Sequence, residues 1–275
     1  MAEGKPIIRS NEEIELIRKS SLIACEAIAE AIKILEPGTT GIQLDKVAET
    51  YIQDLGGRPS FKGYGEPAFP ASLCISVNEA VVHGIPSSKP FKEGDLISLD
   101  CGAYKNGYHG DVAYTIIMGR PNPGTLELCV ATKQSLLLAI AEAQQGKRLG
   151  DIGYAVQQFI EKQLKYGVVR ELVGHGVGQE LHEAPDVSNY GKRGNGLILM
   201  EGMVFAIEPM VNLGTRQVKT LKDGWTIVSK DGRPSAHYEH TVAVRKGGAD
   251  VLTTHLPIEE AIKNNKNLSE ISLKI

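Results

Sequence analysis

Apolar positions change their period along this chain, and each change marks an element. Ile14, Ile17, Ala24, Ile28, Ala31 and Leu35 recur roughly every 3.6 residues, which predicts an amphipathic helix. Ser10-x-x-Glu13 in front of it is a capping box, and Pro37-Gly38 stops it. Thr40-x-x-Gln43 opens a second helix with Leu44, Val47, Ala48, Tyr51 and Ile52 on one face, closed by Gly56-Gly57. Residues 58–72, rich in Gly, Pro and aromatics, read as a loop. Residues 73–78 and 80–83 are strand-like and precede a turn at Gly84-Ile85-Pro86.

Residues 96–118 carry the clearest signal. Two β-prone runs flank Asn106-Gly107, the strongest short hairpin signature. A two-residue turn there pairs 106 with 107 and, counting outward, Asp100 with Ala113. Period two then puts Asp100 and Asp111 on one face as diagonal neighbours. Two carboxylates that close call for a cation or a proton, unless they are ordinary hydrated acids beside a turn.

After Pro121-Asn122-Pro123-Gly124 the pattern starts again. Residues 125–143 are helical, and Gly146 leads into a helix with Ile152, Ala155, Val156, Phe159 and Ile160 on its buried face. A shift of 108 places Gly38 on Gly146, Leu44 on Ile152, Ala48 on Val156 and Ile52 on Ile160. The same shift lays Glu93-Gly94 on Glu201-Gly202 and Asp100 on Glu208. One offset that serves a helix and a strand argues for a duplicated α/β half, against chance matching of generic apolar residues. Two such halves packed about a pseudo-two-fold would bring Asp100 and Glu208 to the same place.

The last third adds polar groups in apolar settings. His175 lies in Gly174-His175-Gly176-Val177-Gly178, Glu208 in the apolar run 203–211, and Glu239 in the β-prone run 236–244. Strand segments are expected around Asp223-Gly224 within residues 217–229, and Pro185 with residues 191–196 in a long connection. Lys246-Gly247-Gly248-Ala249 is expected to end the domain, which leaves residues 251–275 as a polar C-terminal tail.

A buried carboxylate is costly without a partner. Asp100, Asp111, Glu208 and Glu239 carry four negative charges that two divalent cations would neutralise. Oxygen ligands with one imidazole, His175, suit Mn, Fe, Co or Zn better than a thiolate-type structural zinc site. Taken singly, each has an ordinary reading: a core histidine, or an acid on an edge strand.

Composition narrows the class. With 275 residues, 42% hydrophobic and 23% charged, the chain has the profile of a globular protein of one large domain or two smaller ones. A net charge of −3 gives no reason to expect a nucleic-acid partner. The polar start Met1-Ala2-Glu3-Gly4-Lys5-Pro6 has no signal-peptide character, and no apolar run of membrane-spanning length is expected. Cys25, Cys74, Cys101 and Cys129 form no CxxC pair, consistent with reduced thiols and a cytoplasmic location. Cys101 points away from the face that carries Asp100, into the core. The sequence has no G-x-S-x-G, P-loop or dinucleotide fingerprint.

The segments His83-Gly-Ile-Pro, Leu99-Asp-Cys-Gly, Gly110-Asp-Val-Ala, Gly174-His-Gly-Val-Gly, Phe205-Ala-Ile-Glu-Pro-Met and Tyr238-Glu-His-Thr occur in this order. Together they resemble the motif set of the type I methionine aminopeptidases across roughly residues 10–248. The resemblance implies an α/β (α+β) pita-bread fold in a single catalytic domain over 1–250. Its pseudo-symmetric halves would span roughly 10–120 and 121–248 around an antiparallel-rich sheet. It implies a dinuclear centre with Asp100, Asp111, His175, Glu208 and Glu239 as ligands, Asp111 and Glu239 bridging. Glu208 would also move protons. His83 and His182 would act on substrate as accessory histidines, and Phe69, Cys74, Leu181 and Trp225 would line the methionine pocket. Asn78 and Ser235 would hold a peripheral monovalent cation. Leu181 and the loop 65–68 depart from the family pattern.

The implied activity is two-metal hydrolysis that removes the first methionine of nascent polypeptides when the second residue is small, by a monomer with transient ribosome contact. The same fold also serves Xaa-Pro peptidases, which usually carry an extra N-terminal domain, and non-catalytic binding modules, which lose metal ligands.

Overall fold

The fold is given by a computed structural model that describes residues 5–273. Both expected capping boxes close. Ser10 Oγ accepts the Glu13 amide while the Glu13 carboxylate accepts the Ser10 amide, and Thr40 and Gln43 do the same. They open α1 (Asn11–Lys33) and α2 (Gly41–Asp54). The Gly/Pro-rich stretch is loop except for the two-residue β1 (Arg58–Pro59), followed by β2 (Leu73–Val77) and β3 (Ala80–Val82). Next come β4 (Leu96–Lys105) and β5 (Tyr108–Met118), whose register pairs Asp100 with Ala113 and Lys105 with Tyr108. Asn106 and Gly107 turn the chain at φ 53° and 89°, the two positive values a type I′ turn needs.

The second half repeats the order: α3 (Pro123–Glu142), α4 (Leu149–Gln157), β6 (Gly167–Val168), β7 (Gly174–Gly176), β8 (Glu183–Val187), β9 (Val204–Ile207) and β10 (Met210–Asn212). It continues with β11 (Val218–Thr220), β12 (Ile227–Ser229), β13 (Ser235–His237), β14 (His240–Arg245) and β15 (Gly248–Val251). One five-stranded sheet runs β1-β4-β5-β16, with β2 also on β4, where β16 is Leu268–Ser269. The other runs β15-β14-β9-β7-β8. Two three-stranded ribbons, β13-β10-β6 and β11-β12-β3, complete the set, and every ladder is antiparallel. α1 packs on β4 and β5, and α3 packs on α4, β13 and β15.

The duplication is visible in the backbone bonds. Gly38 N donates to Phe91 O, and 108 residues on Gly146 N donates to Leu199 O. Phe91 N returns a bond to Thr39 O, and Leu199 N to Lys147 O. Thr40 bridges to Pro90, and Arg148 to Ile198. Gly94 and Gly202 turn at φ 88° and 89°. Equivalent bonds at one offset in loops, where apolar periodicity plays no part, are hard to assign to chance.

Several expectations are corrected. The runs 203–211 and 236–244 are each broken, at Glu208-Pro209 and at Tyr238-Glu239, so each acid sits at a joint between two strands. Pro185 lies in β8, an edge strand, where a missing N–H costs no ladder bond. α4 widens into a π-helical turn over Gln158–Gln163 that buries Ile160. α3 is twenty residues long and apolar enough, by length and composition, to cross a membrane; here it buries Leu128, Cys129, Ala131, Leu136 and Ala139 in the core.

Residues 246–247 are the turn between β14 and β15, and residues 248–249 already pair with β14, so this stretch does not end the domain. Beyond β15, α5 (Leu256–Asn264) packs on α1, and β16 pairs with the edge of β5. The expected polar tail is therefore largely structured, because Ile258, Ala261 and Ile262 form a buried stripe at helical spacing.

Candidate metal centre and its pocket

The structure brings Asp100, Asp111, His175, Glu208 and Glu239 to one cavity of about 500 Å³. Asp100 and Asp111 come from the two strands of the hairpin, and period two turns both the same way. His175 is the middle residue of β7. Glycines on either side let neighbouring backbone approach: a Cβ at Gly174 would lie 2.3 Å from Ala206 O, and one at Gly176 would lie 2.5 Å from Ala184 O. Glu208 and Glu239 enter from the two strand joints. Asp100 and Glu208, 108 residues apart, thus line one cavity from equivalent places in the two halves.

These groups are close and starved of partners. Ligand-capable atoms of Asp111, His175 and Glu239 lie within 4.8 Å of one another. His175 Nε2 is 3.5 Å from Glu208 Oε1 and 3.9 Å from Asp111 Oδ2. Asp100 Oδ1 and Glu239 Oε1 are buried without a hydrogen bond. Among the described residues no Lys or Arg forms an ion pair with any of the four acids. Burial, and then the neighbouring carboxylates, hold Asp100, Glu208 and Glu239 well above the usual carboxylate range. Burial also lifts Asp111, to about 7, although the Val112 amide donates to it. Burial pushes His175 down to about 4, leaving a neutral imidazole.

Orphaned oxygens, mutual repulsion and a neutral imidazole are properties that suit the binding of divalent cations. The donor set, four carboxylates and one imidazole, fits hard or borderline divalent ions.

An apolar pocket adjoins the acids. Phe69, Cys74 and Leu181 cluster with Phe61 and Ala71, and Trp225 packs edge-on to Phe69 at 5.2 Å between ring centroids. His83 and His182 line the same cavity. His83 adopts φ 56°, just before a glycine whose Cβ would strike Ile75 O at 2.2 Å, so backbone geometry aims the ring. Burial, then the neighbouring His175, lowers the His83 pKa to about 4. The His182 ring stands edge-on to His175 at 4.1 Å.

Asn78 and Ser235 lie outside this cavity but touch each other: Ser235 N donates to Asn78 O at 2.9 Å. The Asn78 amide is engaged by Asp95 and Leu96, and Ser235 Oγ by Val211 O.

Two neighbours escaped the sequence reading. His237 Nε2, buried, lies 3.5 Å from Glu208 Oε2 with no hydrogen bond of its own. Its place two residues before Glu239, hence on the same side of an extended chain, is the signal that could have found it. Tyr64, from the expected loop, reaches His182 through a phenol–imidazole hydrogen bond. No periodicity marks that contact.

The sequence profile of metallopeptidase family M24 matches residues 15–246. The chain belongs to this family. It is 47% identical over 248 residues to a methionine aminopeptidase of Clostridium acetobutylicum, spanning 90% of this chain and 98% of that one. It is 46% identical over 247 residues to methionine aminopeptidase 1 of Bacillus subtilis, again 90% of this chain and 98% of the other. The methionine aminopeptidase of Thermotoga maritima superposes with a TM-score of 0.88 at 41% identity, covering 91% of this chain and all of that one. A prolidase of Pyrococcus furiosus aligns at 0.74 and 28% identity over 90% of this chain and 66% of its own length. The fold is the pita-bread fold that these M24 enzymes share.

Proposed function

We propose that this chain is a metal-dependent aminopeptidase that removes the N-terminal methionine from nascent polypeptides whose second residue is small. The observation that carries the proposal is one cavity in which five metal-competent side chains meet an apolar pocket of Phe69, Cys74, Leu181 and Trp225. Asp100, Asp111, His175, Glu208 and Glu239 would hold two divalent ions, Co, Mn, Fe or Zn. Such ions supply Lewis acidity and a water nucleophilic at neutral pH.

The rest falls to the chain's own residues. The pocket takes the unbranched thioether, which suits aromatic and thiol walls. Glu208, whose affinity for protons is raised by burial, takes a proton during attack and returns it to the leaving amine. His182 donates to the carbonyl oxygen as negative charge develops there. His83 holds the scissile peptide. A large second side chain would press on the crowded acid cluster, which restricts that position. The reading places the protein in the cytoplasm, working as a monomer with transient ribosome contact, where new N-termini emerge.

The test strips metal with a chelator, restores Co, Mn, Fe or Zn singly, and compares Met-Ala-Ser, Met-Leu-Ser, Leu-Ala-Ser and Ala-Pro peptides. Metal-dependent cleavage of Met-Ala-Ser above the others is expected. Preference for Ala-Pro would move the site to the Xaa-Pro class, and full activity without metal would remove the mechanism.

A further inference from the structure

Tyr64 has no part in the chemistry above, yet its hydroxyl bonds to Nδ1 of His182. The two rings lie 4.9 Å apart at 59°, and the imidazole also meets the His175 ring edge-on at 4.1 Å. His182 is thus in contact with two rings and has one nitrogen occupied. Nε2 is the nitrogen left to face the cavity that His182 lines.

The loop that presents Tyr64 is tied to itself and to the pocket. Tyr64 N donates to Phe61 O at 2.9 Å, Phe69 N to Tyr64 O at 2.8 Å, and Gly63 N to Phe69 O at 2.8 Å. Trp225 braces it from outside. Its Nε1 donates to Pro67 O at 2.9 Å, and its ring lies so close over Gly65 that a Cβ there would sit 2.6 Å from it. These bonds fix the backbone on either side of the hydroxyl's residue to the pocket wall.

Resting on the reading of His182 as the carbonyl-oxygen donor, we propose that Tyr64 is a positioning residue that selects the tautomer of His182. A phenol is a good donor and an unprotonated imidazole nitrogen a good acceptor. With Tyr64 donating, Nδ1 carries the lone pair and Nε2 carries the proton. Only that tautomer can donate to a carbonyl oxygen in the cavity. Without the hydroxyl, the ring divides between tautomers and swings more freely, and part of the population presents a lone pair to the oxygen it should stabilise. Burial raises the phenol pKa, so the donor proton is retained through neutral pH.

The test uses Tyr64→Phe in the metal-loaded protein, which keeps the ring and removes the donor. Partners that orient a metal-ligating imidazole are typically worth about 10–100-fold in activity, and the same scale is expected for a bond that orients His182. A fall of that size in kcat for Met-Ala-Ser is expected, with little change in KM. A residue that only roofs the pocket would instead raise KM. Nitrogen NMR of histidine-labelled, zinc-loaded protein reads the tautomer directly, without substrate. The wild type should show His182 with the proton on Nε2, and Tyr64→Phe should show a mixture. Trp225, the single tryptophan, reports by fluorescence whether the loop has kept its place.

If Tyr64→Phe fails to fold, 3-fluorotyrosine at this position, a stronger donor, should shift the Nδ1 resonance. In a His182→Ala background, Tyr64→Phe should have no further effect on turnover. An unchanged His182 spectrum overturns the proposal, as does unchanged kcat in Tyr64→Phe. Wild-type turnover in His182→Ala overturns the functional reading instead, and is seen separately because the spectrum needs no turnover.

Discussion

If the acids of the cavity hold metal as proposed, they tie proton binding, metal binding and stability together. Each is held above its ordinary pKa, so in metal-free protein its protonated form is the one the fold favours. Stability from a raised carboxyl is present below the unfolded pKa and is lost as pH rises through the folded one, which for Asp111 is about 7. His175 and His237 act in the other direction. Lowered to about 4 and about 3, they contribute stability above the unfolded value of 6.5 that is lost as pH falls toward the folded ones. Divalent metal needs the carboxylates ionised and removes their repulsion. The gain in Tm on adding metal should therefore grow between about pH 5.5 and about pH 8. At a hundredfold excess over Kd, binding stabilises by about 2.7 kcal/mol. For a domain of this size that is roughly 5–10 °C at the alkaline end. Thermal unfolding with and without chelator across this range measures it, and a metal-induced shift independent of pH would count against a carboxylate metal site.

Among elements, the hairpin shows why some structure could be read directly and some could not. Asn106-Gly107 with alternating flanks specifies both turn and register by local rules, and the register follows. The break at Glu208 carries one local mark, Pro209, which cannot donate to a ladder, whereas the break at Glu239 has none. At both, the strand changes sheet in response to distant partners: β9 pairs with β7 and β14, and β10 with β13 and β6. α5 was hidden for a related reason. Its N-cap, His255, makes no side-chain cap, and its stripe is only three residues. Two glycines of the hairpin separate local from tertiary constraint. Gly107 has φ 89°, and a Cβ added there would meet nothing within 4 Å, so Gly107→Ala should cost only the left-handed strain, about 1–2 kcal/mol. Gly110 lies where α1 rests on β5, and a Cβ there would be 2.3 Å from Ser21 N. Backbone would have to move, so Gly110→Ala should cost about 3 kcal/mol or more, and it should lower activity because Asp111 is next in the chain. Urea unfolding ranks the pair. Equal costs would mean that α1 yields easily and does not fix this strand.

At the scale of the whole molecule, the duplicated halves set out the cavity, but the segment after them locks it. The 108-residue offset made the halves legible because it repeats in helix, loop and strand. The C-terminal segment belongs to neither half, so no internal comparison could place it. It is joined to the site by name and distance. His255 Nε2 bonds to the backbone carbonyl of Glu239 at 3.0 Å, and its ring stacks on His240 at 3.8 Å. Lys133 of α3 reaches Glu259 of α5 at 2.5 Å, and Asn265 donates to Ile32 O within α1 and to Leu35 O just beyond it. Ile258, Ile262 and Ile271 are buried, and at about 1.5–3 kcal/mol each their loss alone is roughly 5 kcal/mol or more. Total stabilities of about 5–15 kcal/mol leave little after such a loss. A chain ending after Val251 should therefore unfold at least 10 °C lower than the full chain, or fail to accumulate, at about 2–4 °C per kcal/mol. The single change His255→Ala separates core from site. It should leave a folded protein with the Glu239 carbonyl unpaired, and, with Glu239 a ligand as proposed, metal affinity should weaken by about tenfold or more, as when other supports behind a metal ligand are removed. Calorimetric titration of the chelator-stripped variant measures this directly. Wild-type affinity in His255→Ala would confine the C-terminal segment to packing, whereas weakened affinity with near-normal Tm would make it part of the metal centre's scaffold.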